Sequence, residues 1–195
     1  MIMTKKLRGK EWYVLVAPKL FKEKEIGETP VGDQKTLIGR KIDVHLINLI
    51  DDLSKYYIKF HFKVKEIKGE KAYTEFAGFE CLRDYISRMI RYGIKIIDTI
   101  QDLTTSDKIK LRVKTVTITS KKMKKNVEIE LKKFVEEKMK KNVEASKLDE
   151  FIEKTINDIF KNSMINEGSK LYPIRMFEIR KVERLSQKTD ETRTK

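Results

Sequence analysis

Apolar and polar residues alternate most regularly between Ile58 and Lys65. The apolar positions are Ile58, Phe60, Phe62 and Val64, and the positions between them are Lys59, His61, Lys63 and Lys65. Alternate side chains of a strand point to opposite faces, so one face is predicted to join the core and the other to be cationic. Lys68-Gly69-Glu70 then predicts a tight turn, and residues 72–79 predict the partner strand of a hairpin.

Four further segments have the short apolar pattern of strands: Trp12–Val16, 94–102, 108–119 and 174–185. The first is expected to end at Ala17-Pro18. Within 108–119 the apolar phase changes near Thr115, because Val116 and Ile118 no longer follow the earlier alternation. This change predicts a β-bulge.

Helical spacing predicts three helices, near 82–92, at 126–143 and from Ser146 onwards. The apolar stripes are Leu82, Tyr85, Ile86, Met89 and Ile90; Val127, Leu131, Val135 and Met139; and Leu148, Phe151, Ile152, Ile156, Ile159 and Phe160. Gly93 is expected to end the first helix at its C′ position. Ser146 is expected to be the N-cap of the third, since Asp149 and Glu150 follow in its first turn.

Other segments carry turn or loop signals. The glycines and the proline of residues 22–40 favour an extended loop, and residues 41–50 form a second apolar run that ends at Asp51-Asp52. The basic residues before position 11 predict an N-terminal arm, and the polar residues 186–195 a disordered tail.

Together these segments predict an α+β fold: a mostly antiparallel β-sheet or β-barrel body with one inserted helix, followed by a C-terminal helical hairpin and a returning strand. We expect four parts along the chain. They are a basic arm (1–10), a β-rich body (11–120), a basic run with two helices and a final strand that pack on the body (121–185), and the tail (186–195).

The charge of the chain favours a polyanionic partner. The sequence has 44 Lys and Arg against 30 Asp and Glu, which gives a formal net charge of +14. A compact body with this charge repels itself, so nucleic acid is favoured as a partner, ahead of an anionic membrane. Lysine-rich surfaces also occur where heat or solubility demands them. Cys81, the single cysteine, excludes an internal disulfide, and no signal peptide or long apolar span is visible, so we expect a cytosolic protein.

Candidate catalytic residues are few. His45 and His61 have no Cys or His neighbour at the spacing of zinc ligands, so structural roles are favoured for both. Cys81 lies at a strand–helix junction without an obvious histidine partner and is interpreted as a small buried side chain. Asp51 and Asp52 are adjacent, and neighbouring residues of a strand point in opposite directions, so a turn is favoured over a metal site. We expect no catalysis and no cofactor.

The cations are concentrated in five segments: residues 5–10, 59–65, 108–114, 121–125 and 175–184. Arg40 and the arginines of the first predicted helix are further candidates. Alternate strand positions place side chains about 7 Å apart, close to the spacing of phosphates along an extended nucleic-acid strand. The candidate RNA-binding residues are Lys5, Lys6, Arg8, Lys10, Arg40, Lys59, Lys63, Lys65, Arg83, Arg88, Arg91, Lys108, Lys110, Arg112, Lys114, Lys121, Lys122, Lys124, Lys125, Arg175, Arg180, Lys181 and Arg184. A single charge run is often only a solvated face, but five runs favour binding.

The aromatic residues do not predict a surface for base stacking. Phe60, Phe62 and Phe76 occupy core positions of their strands, and no helix-turn-helix, zinc-finger or RNP signature is present. The sequence therefore favours contacts to the backbone of a folded RNA over the reading of bases.

Several short motifs resemble the archaeal and eukaryotic small-subunit ribosomal protein family S3Ae (eukaryotic-type S-one). They occur in order from about residue 10 to 185: Lys10-Glu11-Trp12-Tyr13, Leu37-Ile38-Gly39-Arg40-Lys41-Ile42-Asp43-Val44, Phe76-Ala77-Gly78-Phe79, Lys114 to Thr119, and Tyr172-Pro173-Ile174 through Arg180-Lys181-Val182. The resemblance implies a place on the platform of the small subunit, near the 3′ end of its RNA and the messenger exit, beside other ribosomal proteins. It implies no catalysis and no obligate cofactor, and the short tail resembles archaeal members.

Two other functions stay open on the sequence. The same cations could serve a free regulatory protein that binds messenger RNA or DNA. Asp51 or Asp52 could also hold a metal ion in an RNA-processing enzyme.

Overall fold

The structure, a computed structural model, describes residues 9–50 and 52–185. It divides after Glu80 into two compact units. The candidate cations Lys5, Lys6 and Arg8, the residue Asp51 and the predicted tail all lie outside the described residues. The four-part division expected from the sequence stays a prediction.

The first unit is built mainly of strands. Its elements are β1 (Glu11–Val16), β2 (Glu25–Val31), α1 (Gln34–Leu37), β3 (Lys41–His45), α2 (Ile47–Ile50), β4 (Ile58–Lys68) and β5 (Lys71–Cys81). β1 pairs antiparallel with β2 and, over three residue pairs, parallel with β5. β4 pairs with β5 and, antiparallel, with β3. The predicted hairpin is therefore confirmed.

The alternation in β4 produces the core of this unit as predicted. Phe60 and Phe62 are at most 1% exposed, and the ring of Phe21 packs edge-on against both, with centroids 5.3 and 5.9 Å apart. Phe76 of β5 packs against Phe60 from the neighbouring strand. Full burial of an aromatic side chain stabilises a fold by about 1.5–3 kcal/mol, so this cluster holds the strands together.

The prediction of an extended loop at residues 22–40 is wrong. β2 pairs with β1 from Glu11↔Val31 to Val16↔Glu25, and α1 follows it. Pro30 has no amide hydrogen to donate, and such a residue is tolerated in a strand at the edge of a sheet. Among the described strands β2 pairs only with β1, so it is such an edge. Pairing with β1 outweighs the weak strand propensity of this segment.

The second unit combines a three-stranded antiparallel sheet with helices. Its elements are α3 (Arg83–Met89), β6 (Ile96–Thr104), β7 (Lys110–Thr119), α4 (Lys125–Glu144), α5 (Leu148–Ile156), α6 (Ile159–Gly168) and β8 (Ile174–Arg184). β7 pairs with β6 on one side and with β8 on the other. The register of β7 and β8 shifts between Lys114 and Thr115, which confirms the predicted bulge.

α4 supplies much of the core of the second unit. Leu131, Val135, Met139 and Val143 are fully buried, as their spacing along one helical face predicts. Leu131 packs with Ile97 of β6 and Ile174 of β8. The α+β fold class, with a mostly antiparallel set of strands and a C-terminal helical region before the last strand, is confirmed.

Gly93 does not end α3, contrary to the prediction. The helix ends at Met89, and Ile90, with ψ of 126°, already has an extended backbone. Gly93 lies in a turn further on, where its φ of 85° favours glycine. Because the helix is short, Ile90 does not reach the buried stripe and is 43% exposed.

The third predicted helix differs in its start and in its continuity. Its N-cap is Lys147 and not Ser146, and the amide of Leu148 donates to the Asp107 carboxylate at 3.0 Å. Asp107, which is distant in sequence, therefore accepts a hydrogen bond that a local N-cap side chain would otherwise accept. The helix also breaks at Asp158, whose φ is 57°, into α5 and α6. Ile159, a predicted core residue, is consequently 51% exposed.

Candidate nucleic-acid interface

In the first unit, the predicted cationic face of β4 lies beside an acidic residue, Asp43 of the neighbouring strand β3. β3 pairs with β4 in the register Asp43↔His61, so the Asp43 carboxylate faces Lys59 at 2.8 Å and His61 Nδ1 at 2.5 Å. Partial burial raises the pKa of Asp43, but the hydrogen bonds from Lys59 and His61 outweigh it, so the pKa lies below its ordinary value. Lys59 is therefore committed within the protein.

Other cations of the first unit are free to reach a partner. Lys10, Lys63 and Lys65 are exposed and form no ion pair with a described residue. Arg40 is half-buried, and its guanidinium donates to the Thr29 hydroxyl at 2.7 Å.

On the second unit, the β7 face is more nearly neutral than the sequence predicts. Arg112 donates two hydrogen bonds to the Asp102 carboxylate, at 2.7 and 2.8 Å. These bonds hold the pKa of Asp102 below its ordinary value. Antiparallel pairing places the two residues directly opposite each other, which the spacing along one strand could not reveal.

Acids of β6 and β8 also pair with other predicted RNA-binding cations. Lys114 and Lys181 both pair with Glu183, at 3.5 and 3.0 Å, and Arg180 lies 3.8 Å from Asp98. Arg88 and Arg184 are exposed but also have partners within the chain. These cations are therefore less available to a partner than the sequence predicts. Besides the lysines of residues 121–125, the predicted cations of the second unit that are exposed and lack an ion pair with a described residue are Arg83, Arg91, Lys108, Lys110 and Arg175.

The lysine run, by which we mean Lys121, Lys122, Lys124 and Lys125, is exposed, and its role in RNA binding stays a prediction. All four side chains are exposed, and none has an ion pair with a described residue. The backbone of the run is nevertheless held in place. Tyr172 donates its hydroxyl hydrogen to the Lys122 carbonyl at 2.8 Å, and Thr119 does the same to the Lys121 carbonyl. The backbone of the run is thus held in place while its four charged side chains are exposed.

The start of α4 concentrates this positive charge further. Lys124 is the N-cap and Lys125 the first helical residue, at the end of the helix dipole that already carries partial positive charge. Glu128 is the acid of the first turn, and Lys95 engages its carboxylate at 3.0 Å. A cation at this end is unfavourable by about 0.3–1 kcal/mol, and a bound anion would relieve it.

Tyr92 is a residue that sequence reasoning missed. Its side chain is 99% exposed, and Lys122 Nζ lies 5.2 Å from the centre of its ring. A helix extending to residue 92 was predicted, which concealed the position of the ring. The sequence signal that could have found it is an aromatic residue between Arg91 and Gly93, in a turn and outside any apolar stripe.

Of the candidate catalytic residues that the structure describes, Cys81 is buried and Asp52 caps a turn. Burial raises the pKa of Cys81 to about 12, with a further rise from the charge of Glu178, so the thiol is neutral. Asp52 caps a short turn, and hydrogen bonds from the Ser54 hydroxyl and from the Ser54 amide, the latter at 2.9 Å, hold its pKa below the ordinary value. Within residues 9–50 and 52–185, no three His, Cys, Asp or Glu side chains are grouped so that they could hold a metal ion.

None of the helices within residues 9–50 and 52–185 combines the length and the apolarity that a membrane crossing requires.

Comparison with known proteins gives a consistent result. A protein named small ribosomal subunit protein eS1 from Methanopyrus kandleri is 33% identical over 186 residues, which cover 93% of this chain and 88% of that protein. Proteins of the same name are 35% identical in Sulfolobus acidocaldarius, over 92% of each chain, and 32% identical in Sulfurisphaera tokodaii, over 92% of this chain and 93% of that protein. Residues 3–188 match the description Ribosomal S3Ae family, and this chain belongs to that family.

Proposed function

We propose that this protein is a structural constituent of the small ribosomal subunit and binds ribosomal RNA through its basic surface. The observation that carries the proposal is the lysine run, whose backbone is fixed while its four charged side chains are exposed and without ion pairs to described residues. The family supports it, since the relatives are named small ribosomal subunit proteins.

The mechanism is the release of counterions from the RNA backbone. Each lysine that neutralises a phosphate releases a condensed cation, so binding weakens as salt rises. If about six to ten phosphates are engaged, affinity for naked RNA should fall about 10³- to 10⁵-fold between about 50 and 200 mM salt. The exposed cations of both units supply enough groups for this number.

The resemblance extends the proposal to a location. It implies the platform of the subunit, near the 3′ end of its RNA and the messenger exit, with other ribosomal proteins as neighbours and the cytoplasm as compartment. Crosslinking of assembled subunits tests this location, because contacts confined to RNA far from the 3′ end would contradict it.

We also infer that the protein is not an enzyme and needs no cofactor. Asp52, the described member of the candidate metal pair, is committed to capping a turn. Incubation of RNA with the purified chain and Mg²⁺ tests the inference. Cleavage that is lost in Asp52→Asn would overturn it in favour of an RNA-processing enzyme.

The central experiment reverses the charge of the lysine run. The variant Lys121→Glu, Lys122→Glu, Lys124→Glu, Lys125→Glu should fold but should fail to enter small subunits in a sucrose gradient. Its affinity for RNA should also depend less on salt, with a log–log slope smaller by about 3. The matched control reverses four exposed lysines further along α4: Lys132, Lys133, Lys140 and Lys141.

The control changes net charge equally, so it separates the site from overall charge. Loss of assembly in the run variant alone supports the proposal. Equal loss in both variants would reduce it to an effect of net charge. Wild-type protein that sediments apart from small subunits but binds messenger RNA or DNA would favour the free regulatory protein.

A further inference from the structure

An exposed aromatic ring lies beside the lysine run. Tyr92 is 99% exposed, whereas Tyr56, the next most exposed aromatic residue in the described part of the chain, is 41% exposed. Apolar rings are usually covered because water contact is unfavourable for them, by about 25 cal/mol for each Å². Tyrosine is enriched at interfaces, so a ring left almost wholly in water is a candidate for contact with a partner.

The backbone around Tyr92 presents the ring in a defined place. α3 ends at Met89, where the Ile90 amide donates to the Ser87 carbonyl at 3.2 Å. Gly93 then takes a φ of 85°, and β6 begins at Ile96. Helix and strand thus anchor a short turn with Tyr92 in it. A tyrosine has only two side-chain torsions to order, so binding through it loses little entropy.

The charge around the ring suits a nucleic acid. Lys122 Nζ lies 5.2 Å from the ring centre, within the range of a cation–π interaction, and the side chain is still 99% exposed, so a ring face is accessible to a partner. The other lysines of the run are exposed close by in the chain, and no ion pair to a described residue neutralises them. An aromatic face beside unpaired lysines is the arrangement with which proteins hold single-stranded nucleic acid.

We propose that Tyr92 and the lysine run form a binding site for an unpaired nucleotide of RNA. The base stacks on the open face of Tyr92, and the lysines contact the phosphates on either side of it. The inference rests on the proposed function, RNA binding, and adds to it that this site engages a base in an unpaired segment. It departs from the interpretation of the sequence, in which the aromatic residues do not form a surface for base stacking.

The test separates the base from the phosphates. The full chain is titrated, by fluorescence anisotropy, into two labelled probes of about ten nucleotides, a length within the site size of such surfaces. One is an oligoadenylate, and the other has the same ribose–phosphate backbone with abasic spacers. Tyr92→Leu should weaken binding to the oligoadenylate by about 5- to 150-fold and leave binding to the abasic probe unchanged.

Three further variants make the result specific. Tyr92→Trp should keep or strengthen binding to the oligoadenylate, because the larger ring still stacks. Lys122→Gln should weaken binding to both probes and reduce the salt slope by about 1. Tyr73→Leu is the matched control, because Lys68 lies 5.2 Å from the Tyr73 ring but pairs with Glu66, and it should change nothing.

The two proposals fail in different ways. If the wild-type chain does not distinguish the two probes, or if Tyr92→Leu affects both equally, the nucleotide site is overturned while salt-dependent RNA binding stands. If Tyr92→Leu impairs entry into subunits without affecting the probes, the ring contacts a protein and the inference is again wrong. If the wild type binds neither the probes nor the small subunit, the proposed function fails as well.

Discussion

Replacing Lys161 by methionine should lower the free energy of unfolding by about 3 kcal/mol. Lys161 of α6 donates to the Glu178 carboxylate of β8, whose side chain is 9% exposed, and Tyr85 donates to the same oxygen at 3.5 Å. Removing one partner of a buried ion pair is destabilising by about 3–5 kcal/mol, because the other charge stays buried. The Lys161 side chain is 24% exposed, so water moderates the loss and the lower end applies.

The effect has a pH dependence of definite sign. In the wild type, burial lowers the pKa of Lys161, but the hydrogen bond to Glu178 raises it more, and the pKa lies above its ordinary value. A raised lysine pKa contributes stability that is complete below about pH 10 and is lost only as pH rises through the folded-state value. The pair is therefore intact from neutral to mildly acid pH. In Lys161→Met the buried carboxyl can take up a proton as pH falls, so the difference from wild type should shrink towards about pH 4.

Urea and thermal unfolding, followed by circular dichroism at pH 7 and pH 5, measure both effects. A loss of about 3 kcal/mol corresponds to a fall in Tm of about 6–12 °C for a chain of this size. Lys132→Met, which removes an exposed pair with Glu136 at 3.9 Å, is the control and should cost less than about 0.5 kcal/mol. The double variant Lys161→Met, Glu178→Gln should recover part of the loss. A single variant as stable as wild type at pH 7, or one equally destabilised at both pH values, would refute the reasoning.

Two other positions carry predictions. Gly168→Ala should destabilise the chain by about 1–3 kcal/mol in urea unfolding, because the new methyl group would overlap the Ile174 side chain. Gly32→Ala, whose nearest neighbouring atom would lie at 3.7 Å, should stay within about 0.5 kcal/mol of wild type, and equal effects of the two would contradict the packing argument. Cys81 should resist iodoacetamide at pH 8 in the folded chain, since its raised pKa of about 12 keeps the thiol protonated, and should react once urea unfolds the chain. Mass spectrometry measures the extent of labelling. Rapid labelling of the folded chain would contradict the prediction, because it would show that the thiol is accessible.

The structure confirmed the predictions made from the two most regular apolar patterns in the sequence. The alternation in β4 and the stripe of α4 were read correctly, because burial of a strand or helix face requires those spacings. The loop predicted at 22–40 was wrong because few apolar residues mark β2, and the strand forms by pairing with β1. The N-cap predicted at Ser146 was wrong for a similar reason, since Asp107 accepts the hydrogen bond from the start of α5.

In the candidate interface, too, features formed by residues close in sequence could be predicted, whereas features formed by residues distant in sequence could not. Spacing along β7 predicted the row Lys110, Arg112 and Lys114. It could not show that Asp102 and Glu183 lie on the strands beside it. The lysine run could be proposed from the sequence because it is continuous there. Tyr92 was missed because its exposure depends on where α3 ends.

The sequence by itself determined the fold class, most of the core and the family, since periodic burial and ordered motifs are properties of neighbours along the chain. Only the tertiary structure decided which cations are left without acids and which aromatic ring stays in water. Those properties depend on residues far apart in sequence that folding brings face to face. The sequence therefore gives the number of charged residues, whereas the folded structure determines which of them are paired with an opposite charge and which are available to a partner.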